Sequence, residues 1–240
     1  MNERILICIP CHNRKRIAEL CVKTVSDSIM RGTDTLELYD DGSTEHSEAL
    51  MNLSDIAYLR PMPIGIEMQR KQHFASFVNA NNDGGRFTHL YLTDSDAIHD
   101  PSWRRIALEL QAEHGGVPVC LYNTEAHSRL IGNTIEDNAS SDVIWRRVAP
   151  GISYFLTAEH VAKVVAALPG LPDHWSWDWT VPAILGSRFA ISRTSYVDHI
   201  GYQGYHHPEN EGYDGGDRAT NPTRFLIEKR AEIVAKLQSA

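Results

Sequence analysis

The first half of the chain alternates apolar runs of strand length with segments of helical periodicity, and this alternation restricts the possible fold more than any other feature. The strand-length segments are Ile5–Ile9, which is continuously apolar, and Leu36–Tyr39 and His89–Thr93, which are mostly apolar. The helical segments cover residues 15–30, 65–79 and 101–113. Continuous apolar runs are typical of strands buried on both faces, and their alternation with helices predicts an α/β fold with a mostly parallel sheet flanked by helices.

The second half of the chain is less regular but contains the same types of element. Further strands are predicted at 56–59, 117–122, 153–156 and 188–197, and further helices at 161–168, 175–185 and 222–238. The sequence has no repeat and no low-complexity linker. We therefore predict one domain over residues 1–240, with a first half to about residue 120, a smaller second half over about 121–221 and a closing helix at 222–240.

Composition disfavours several classes of protein. Lys and Arg number 23 against 31 Asp and Glu, and the resulting net charge of −8 disfavours a dedicated nucleic-acid binder, although it leaves room for a local basic groove. Every apolar run is shorter than the roughly 18 residues that a membrane span needs, so no span is expected. Four cysteines are too few for a disulfide scaffold in 240 residues, and the predicted location is the cytoplasm.

Polar clusters follow three of the predicted strands. They are Pro10–Arg14, Asp40–Ser43 and Asp94–Asp96. Ligands of parallel sheets bind beyond the carboxyl ends of the strands, where all three clusters should lie. The two carboxylates of the last cluster suit Mg²⁺ or Mn²⁺, the alternative being a polar loop with capping aspartates. The acidic residues of the second cluster either accept hydrogen bonds from a ribose or a base or serve an ordinary strand-to-helix turn.

Two further groups of residues are candidates for chemistry. Asp178 lies among Trp175, Trp177 and Trp179 in the sequence. A carboxylate in a partly apolar pocket has a raised pKa and is a better base. The alternative is that the tryptophans form a core aromatic cluster and that the carboxylate lies at the surface. His199 follows a predicted strand, where an imidazole could complete a metal site. A structural histidine is the alternative there, and the competing candidates are His206 and His207.

Cys8 and Cys11 have the spacing of a redox pair. A thioredoxin-type pair lies at the N-terminus of a helix, whereas Cys8 lies inside a predicted strand. Two buried or half-buried thiols are therefore the preferred interpretation.

Taken together, these segments resemble the family 2-like glycosyltransferases of the GT-A fold. The matching segments, in order, are ILICIPCHNR at Ile5–Arg14, LYDDGST at Leu38–Thr44, GIEMQR at Gly65–Arg70, LYLTDSD at Leu90–Asp96, DHWSWD at Asp173–Asp178, and the later His199-Ile-Gly201. The resemblance covers residues 4 to about 201. It implies a Rossmann-like GT-A sheet with a smaller acceptor-side half, a nucleotide-diphosphate sugar donor, Mn²⁺ or Mg²⁺, and transfer to a hydroxyl of unknown class, a nucleic-acid acceptor included.

The resemblance also implies roles for individual residues. Donor binding falls to Pro10, Asn13, Arg14, Asp40, Asp41, Arg70, Asp94 and Ser95. The metal ligands are Asp94, Asp96 and His199. Asp178 is the general base of a single, inverting displacement, and the acceptor is bound by Trp175, Trp177 and Trp179. Residues 201–221, rich in glycine, tyrosine and histidine, are expected to close as a lid over bound donor.

Two other functions are compatible with the sequence. A sugar-phosphate nucleotidyltransferase also uses an α/β sheet and Mg²⁺, but its phosphate-binding loop is usually rich in glycine, and residues 10–16 contain none. A non-catalytic module that binds a nucleotide or sugar, such as a receiver-like domain, has its acidic pair after the first strand, whereas here the pair follows the second.

Overall fold

The computed structural model describes residues 3–44, 48–82, 84–130, 132–172, 175–200 and 218–239. The strands are β1 (Ile5–Cys11), β2 (Thr35–Asp40), β3 (Ile56–Leu59), β4 (His89–Thr93), β5 (Ala97–His99), β6 (Val119–Cys120), β7 (Thr134–Glu136), β8 (Val143–Arg146), β9 (Ser153–Thr157), β10 (Phe189–Ser192) and β11 (Val197–His199). The helices are α1 (Lys15–Ser26), α2 (Glu48–Met51), α3 (Ile66–Asn82), α4 (Trp103–Glu113), α5 (Glu125–Ser128), α6 (Ala158–Ala167), α7 (Trp177–Ile184) and α8 (Arg224–Gln238), with a 3₁₀ turn at Leu168–Gly170.

Nine of the described strands form one sheet in the order β3-β2-β1-β4-β9-β6-β10-β8-β7. The first four strands are parallel to one another, β9 is antiparallel to both of its neighbours, β6 and β10 are parallel, and β8 is antiparallel to β10 and β7. Seven strands therefore point one way, with β9 and β8 reversed. The predicted α/β fold with a mostly parallel sheet is confirmed. The division into two functional halves and a closing helix stays a prediction.

Helices cover both faces of the sheet, as the side-chain alternation of the strands shows. Glu37 of β2 accepts a hydrogen bond from Ser76 of α3 at 2.8 Å. On β4, Tyr91 stacks on Trp103 of α4 with ring centroids 4.3 Å apart. Tyr91 is aligned through β1 with Leu36, the neighbour of Glu37 on β2. Because neighbouring residues of a strand point to opposite faces, α3 and α4 lie on opposite faces of the sheet.

Some predicted elements differ from the structure. The strand expected at 117–122 pairs only over Val119–Cys120, and the helix expected at 15–30 ends at Ser26. The strand expected over 188–197 is two strands in two sheets, because the chain leaves β10 after Ser192 and pairs again, as β11, with β5. This change of sheet positions one of the predicted metal ligands.

The four cysteines are buried and free, so the interpretation of Cys8 and Cys11 as buried thiols is confirmed. Burial is the largest cause that raises the pKa of each thiol above its ordinary value. A raised pKa keeps a thiol protonated and unreactive. None of the helices in the described ranges is both long and apolar enough to cross a lipid bilayer. The cytoplasmic location stays a prediction.

A close contact between Gly151 and Trp177 should make the glycine necessary for stability. A Cβ at Gly151 would lie 2.4 Å from Cζ2 of Trp177, whose ring is held by Tyr154 and by the Arg70 guanidinium, 4.2 Å above it. Gly151→Ala should therefore lower the free energy of unfolding by about 1–3 kcal/mol in urea denaturation. Gly170→Ala is the matched control, because a Cβ added at Gly170 would have no other atom within 4 Å. Equal stability of the two variants would contradict this prediction.

Acid should destabilise the fold through His99. Nε2 of this buried ring lies 2.9 Å from Tyr91 Oη and 3.2 Å from Thr93 Oγ1, and burial lowers its pKa from 6.5 to about 3. The unfolded chain therefore binds this proton near pH 6.5, well before the folded protein does. The contribution of His99 is complete above pH 6.5 and is lost as the pH falls toward 3, at up to about 1.4 kcal/mol per pH unit.

Urea unfolding of the protein and of His99→Gln, between about pH 7 and pH 4, checks this expectation. Glutamine does not titrate, so the stability of the variant should fall less steeply with acid. Part of the slope should remain, because burial also lowers the pKa of His73 and of His160, the latter to about 4. The same slope in both proteins would show that His99 does not contribute.

Candidate active site

The loops that follow β1 and β2 are held together by hydrogen bonds at the carboxyl edge of the sheet. Asn13 has a φ of 50°, and its backbone N–H donates to Ser43 Oγ at 2.9 Å. Its side-chain oxygen accepts from the backbone N–H of Thr44 at 2.8 Å. His12 Nδ1 lies 2.7 Å from the carbonyl oxygen of Asp41. The two predicted donor-binding loops therefore form one connected surface.

Asp40 and Asp41 are both buried at this edge. Asp40 accepts a hydrogen bond from the backbone N–H of Ser43 at 2.8 Å. The two carboxylate oxygens of Asp41 accept from the backbone N–H groups of Ile64 and Gly65, at 2.7 and 2.9 Å. Asp41 thus fixes the turn that leads into α3, and its predicted contact with the donor stays a prediction.

Gly42 allows the loop after β2 to pass close to the turn before α3. Its φ is +69°, and a Cβ there would lie 2.6 Å from the backbone nitrogen of Pro63. The Gly in the Asp-Asp-Gly-Ser segment is therefore required both by its backbone conformation and by the close approach of a second backbone.

Asp94 forms an ion pair with Arg70 at the end of β4. The Arg70 guanidinium is fully buried, lies within 3.5 Å of the Thr93 carbonyl oxygen and is 4.2 Å above the ring of Trp177. Burial raises the pKa of Asp94 and outweighs the opposing effect of Arg70. The carboxylate keeps 30% of its side-chain surface exposed, so it is accessible at the surface of the site.

Asp96 is the more deeply buried carboxylate and is contacted by a guanidinium and an imidazole group. Its Oδ2 pairs with Nη1 of Arg14 and lies 3.1 Å from Nε2 of His199, and only 3% of its side chain is exposed. Burial alone would raise the pKa of Asp96. The charges and hydrogen bonds of His199 and Arg14 outweigh burial and lower this pKa below its ordinary value. Asp96 is therefore ionised at neutral pH.

The short β5–β11 sheet brings His199 to Asp96. His199 pairs with Ala97, the residue directly after Asp96, and the Ile200 backbone N–H donates to the Asp96 carbonyl oxygen at 3.0 Å. Helix α8 fixes β11 from the other side. Nη1 of Arg230 donates to Asp198 Oδ2 and to the His199 carbonyl oxygen, each at 2.8 Å. The position of His199 is thus fixed by the pairing of β11 with β5 and by the ion pair between Arg230 and Asp198.

Asp96 and His199 are hydrogen-bonded to each other, and their contacting atoms are also spaced as two ligands of a divalent cation could be. Adjacent ligands of an octahedral ion at about 2.1 Å are about 3 Å apart, which matches the 3.1 Å between Asp96 Oδ2 and His199 Nε2. Asp94 does not complete a tight set with them. The described residues do contain one set of three possible metal ligands whose atoms all lie within 4.8 Å of one another. It consists of Glu113, His114 and Asp142, which are remote in sequence from this site.

Asp178 lies in the first turn of α7, beside the ring that covers Arg70. Its Oδ1 accepts a hydrogen bond from Ser176 Oγ at 2.8 Å, and its backbone carbonyl accepts from Tyr154 Oη at 3.0 Å. Of the three predicted acceptor-binding tryptophans, Trp175 and Trp177 are buried in the core, whereas Trp179 is 51% exposed. The acceptor role of the two buried rings stays a prediction.

The structure thus brings many of the predicted residues to one edge of the sheet. The loops of Pro10–Arg14 and Asp40–Ser43 are connected there. Asp96 contacts Arg14 and His199, whereas Asp94 contacts Arg70, which in turn lies over Trp177. Ser95, which lies between the two aspartates in the sequence, is buried. The lid expected at 201–221 falls mostly outside the described residues. So do His206, His207 and the Asp173-His174 start of the DHWSWD segment.

Sequence reasoning missed two supporting residues. Tyr154 donates a hydrogen bond to the backbone carbonyl of Asp178. Nδ1 of His73 lies 3.3 Å from Nη1 of Arg70, and the His73 ring packs on Tyr39. His73 follows Arg70 by three residues, so helical spacing alone places the two side chains together. No local signal marks Tyr154, which lies on β9 among apolar residues.

The sheet and its flanking helices have a fold of the GT-A type. The chain is similar to solved structures of TarS from S. aureus. TarS 1-349 in complex with UDP-GlcNAc aligns with a TM-score of 0.61 at 12% identity, over 86% of this chain and 61% of that chain. TarS 1-349 in complex with UDP aligns with a TM-score of 0.57 at 11% identity, over 81% and 59%. A longer TarS chain gives a TM-score of 0.57 at 12% identity, over 81% and 36%.

No family model matches the chain, and no curated protein matches it. The chain spans between 36% and 61% of the lengths of these TarS chains. At 11–12% identity, the similarity shows the fold alone. The predicted GT-A fold is confirmed.

Proposed function

We propose that the chain transfers a sugar from a nucleotide-diphosphate donor to an acceptor hydroxyl, with inversion at the anomeric carbon. The observation that carries this proposal is the charged group at the end of β4. There the carboxylates of Asp94 and Asp96 meet the guanidinium groups of Arg70 and Arg14 and the imidazole of His199, which come from three other parts of the chain. The similar TarS fragment was solved with UDP-GlcNAc, a donor of this class. A diphosphate leaving group is stabilised by positive charge, which Arg14 and a bound cation would supply.

In this proposal the donor lies across the carboxyl ends of β1, β2 and β4. Pro10, Asn13 and Asp40 contact the nucleoside and Arg14 faces the diphosphate, while Arg70, whose side chain is fully buried, acts through its ion pair with Asp94. Asp41 acts by positioning, because its carboxylate fixes the turn that starts α3, and α3 carries Arg70. Guanidinium groups suit this role, since they present several N–H donors in a planar fork that matches phosphate oxygens.

We further propose that Asp96 and His199 hold a divalent cation, Mn²⁺ or Mg²⁺, with Asp94 and Ser95 on the donor side. When bound, the cation would neutralise negative charge that develops on the diphosphate as the bond to the sugar breaks. The support is the 3.1 Å spacing of the Asp96 and His199 ligand atoms.

Asp178 is proposed to take the proton of the attacking hydroxyl. Its carboxylate is held from one side by Ser176 and is half-buried beside Trp177. The exposed ring of Trp179, one residue further, offers the acceptor an apolar surface. Trp175 and Trp177 would act by anchoring the start of α7 in the core, since both are buried.

A donor-turnover assay tests this function against its alternatives. The protein is incubated with UDP-GlcNAc and other nucleotide sugars in the presence of Mn²⁺, and the phosphate-containing products are identified. Release of a nucleoside diphosphate supports a glycosyltransferase. Pyrophosphate-dependent formation of a sugar phosphate and a nucleoside triphosphate would instead indicate the nucleotidyltransferase, and binding without turnover would favour the non-catalytic module.

A further inference from the structure

The buried carboxylate of Asp96 already has a counter-ion that does not belong to the proposed metal site. Nη1 of Arg14 contacts Oδ2 of Asp96, the same oxygen that lies 3.1 Å from Nε2 of His199. A divalent cation held by this oxygen and by the imidazole would be in contact with the guanidinium. Because positive charges at such a distance repel each other, the guanidinium and the cation compete for this oxygen.

Arg14 also lies at the boundary between the carboxylate and the proposed donor site. It directly follows Asn13, which is fixed to the loop after β2, and it is the N-cap residue of α1. The backbone position is therefore set, whereas 22% of its side chain is exposed at the carboxyl edge of the sheet. A guanidinium binds carboxylates and phosphates with the same fork of N–H donors.

We propose that Arg14 exchanges partners: it neutralises Asp96 in the free protein, and leaves this carboxylate for the donor diphosphate when a divalent cation binds. The inference rests on the proposed function, because it uses the proposed cation and donor sites. It adds that the protein carries an internal competitor for its own metal, so that metal and diphosphate favour each other's binding through one side chain.

Direct titration with Mn²⁺, followed by the electron paramagnetic resonance signal of the free ion, tests this exchange without turnover. All variants are made in a His114→Ala background, so that the second set of possible ligands at Glu113 and Asp142 does not contribute. Arg14→Gln should bind Mn²⁺ about tenfold more tightly than the background protein, because Asp96 has lost its competitor. Its affinity for UDP at saturating Mn²⁺, measured by calorimetry, should fall by about tenfold.

Two controls separate exchange from a structural role. Arg16→Gln makes the same change two residues away, at an exposed arginine that contacts only a backbone carbonyl in the described residues, and should leave both affinities unchanged. Arg14→Lys keeps the charge and should retain most of the competition with Mn²⁺. Damage to the fold would weaken both ligands together, whereas exchange moves the two affinities in opposite directions.

An Mn²⁺ affinity that is unchanged or lower in Arg14→Gln overturns the proposal, as does undetectable Mn²⁺ binding by both proteins. Equal UDP affinities in both proteins also overturn it. Failure of the proposed function has a different result: the two affinities would shift in opposite directions as expected, but no nucleoside diphosphate would be released from any nucleotide sugar.

Discussion

Asp96→Asn should lower the rate of sugar transfer by about a thousandfold or more, because several kcal/mol of charge stabilisation are lost. The amide keeps the shape of the side chain but not the charge that faces Arg14 and His199. A divalent cation would lose its most buried ligand in the described site. The rate is measured as release of nucleoside diphosphate at saturating donor, with circular dichroism to establish that the variant is folded.

Asp34→Asn is a matched control for this prediction. Asp34 is a buried carboxylate that accepts from Arg104 Nε at 2.6 Å, and it lies before β2, at the opposite edge of the sheet. Removing one member of a buried ion pair destabilises a protein, so both variants should unfold at lower urea concentration. Only Asp96→Asn should lose activity under conditions where both are folded. Undiminished turnover of Asp96→Asn at limiting Mn²⁺ would show that Asp96 is not a ligand of the metal.

Asp178→Asn should lower kcat by about 10²–10⁴-fold while the affinity for UDP stays nearly unchanged. An asparagine can keep the hydrogen bond from Ser176, and the backbone contact with Tyr154 does not depend on the side chain. The amide cannot accept the proton of the acceptor hydroxyl. Steady-state kinetics gives kcat, and calorimetry with UDP and Mn²⁺ gives the affinity.

The control for this variant is Glu159→Gln. Glu159 is an exposed carboxylate in the first turn of α6 and pairs with Lys163 at 2.8 Å, so its neutralisation should leave kcat unchanged. A collapse of UDP binding in Asp178→Asn would instead assign Asp178 to the donor site or to the fold. An unchanged kcat would show that another group accepts the proton.

The parallel part of the sheet could be predicted because its strands are short, mostly apolar segments that alternate with helices. The bounds of β3 and β4 match the predicted residues, and β1 and β2 match within two. The strands β7 and β8 were not predicted. Val143–Arg146 is short and pairs with β10, which is distant in the sequence, and the exposed Thr134–Glu136 is a strand only because it pairs with β8. Pairing partners of this kind leave little local signal.

The site could be predicted only in part, for a related reason. Their position directly after a strand places Asp94 and Asp96 at the carboxyl edge of the sheet, but it does not show which side chain pairs with which carboxylate. Arg14 and Asp96 are 82 residues apart, and His199 reaches Asp96 only because a three-residue strand pairs beside it. Composition likewise could not distinguish buried tryptophans from exposed ones, and two of the three are in the core.

The reversed strand β9 also has a consequence for how the molecule folds. It enters the sheet between β4 and β6, and its Ser153 pairs with Thr93, far back in the sequence. Closing this loop, or the longer one between β1 and β4, costs more conformational entropy than pairing β1 with β2, so β4 and β9 should join the sheet after β2. Until then β4 presents an unpaired backbone edge, and such edges promote self-association. Refolding yield should therefore decrease as the protein concentration rises.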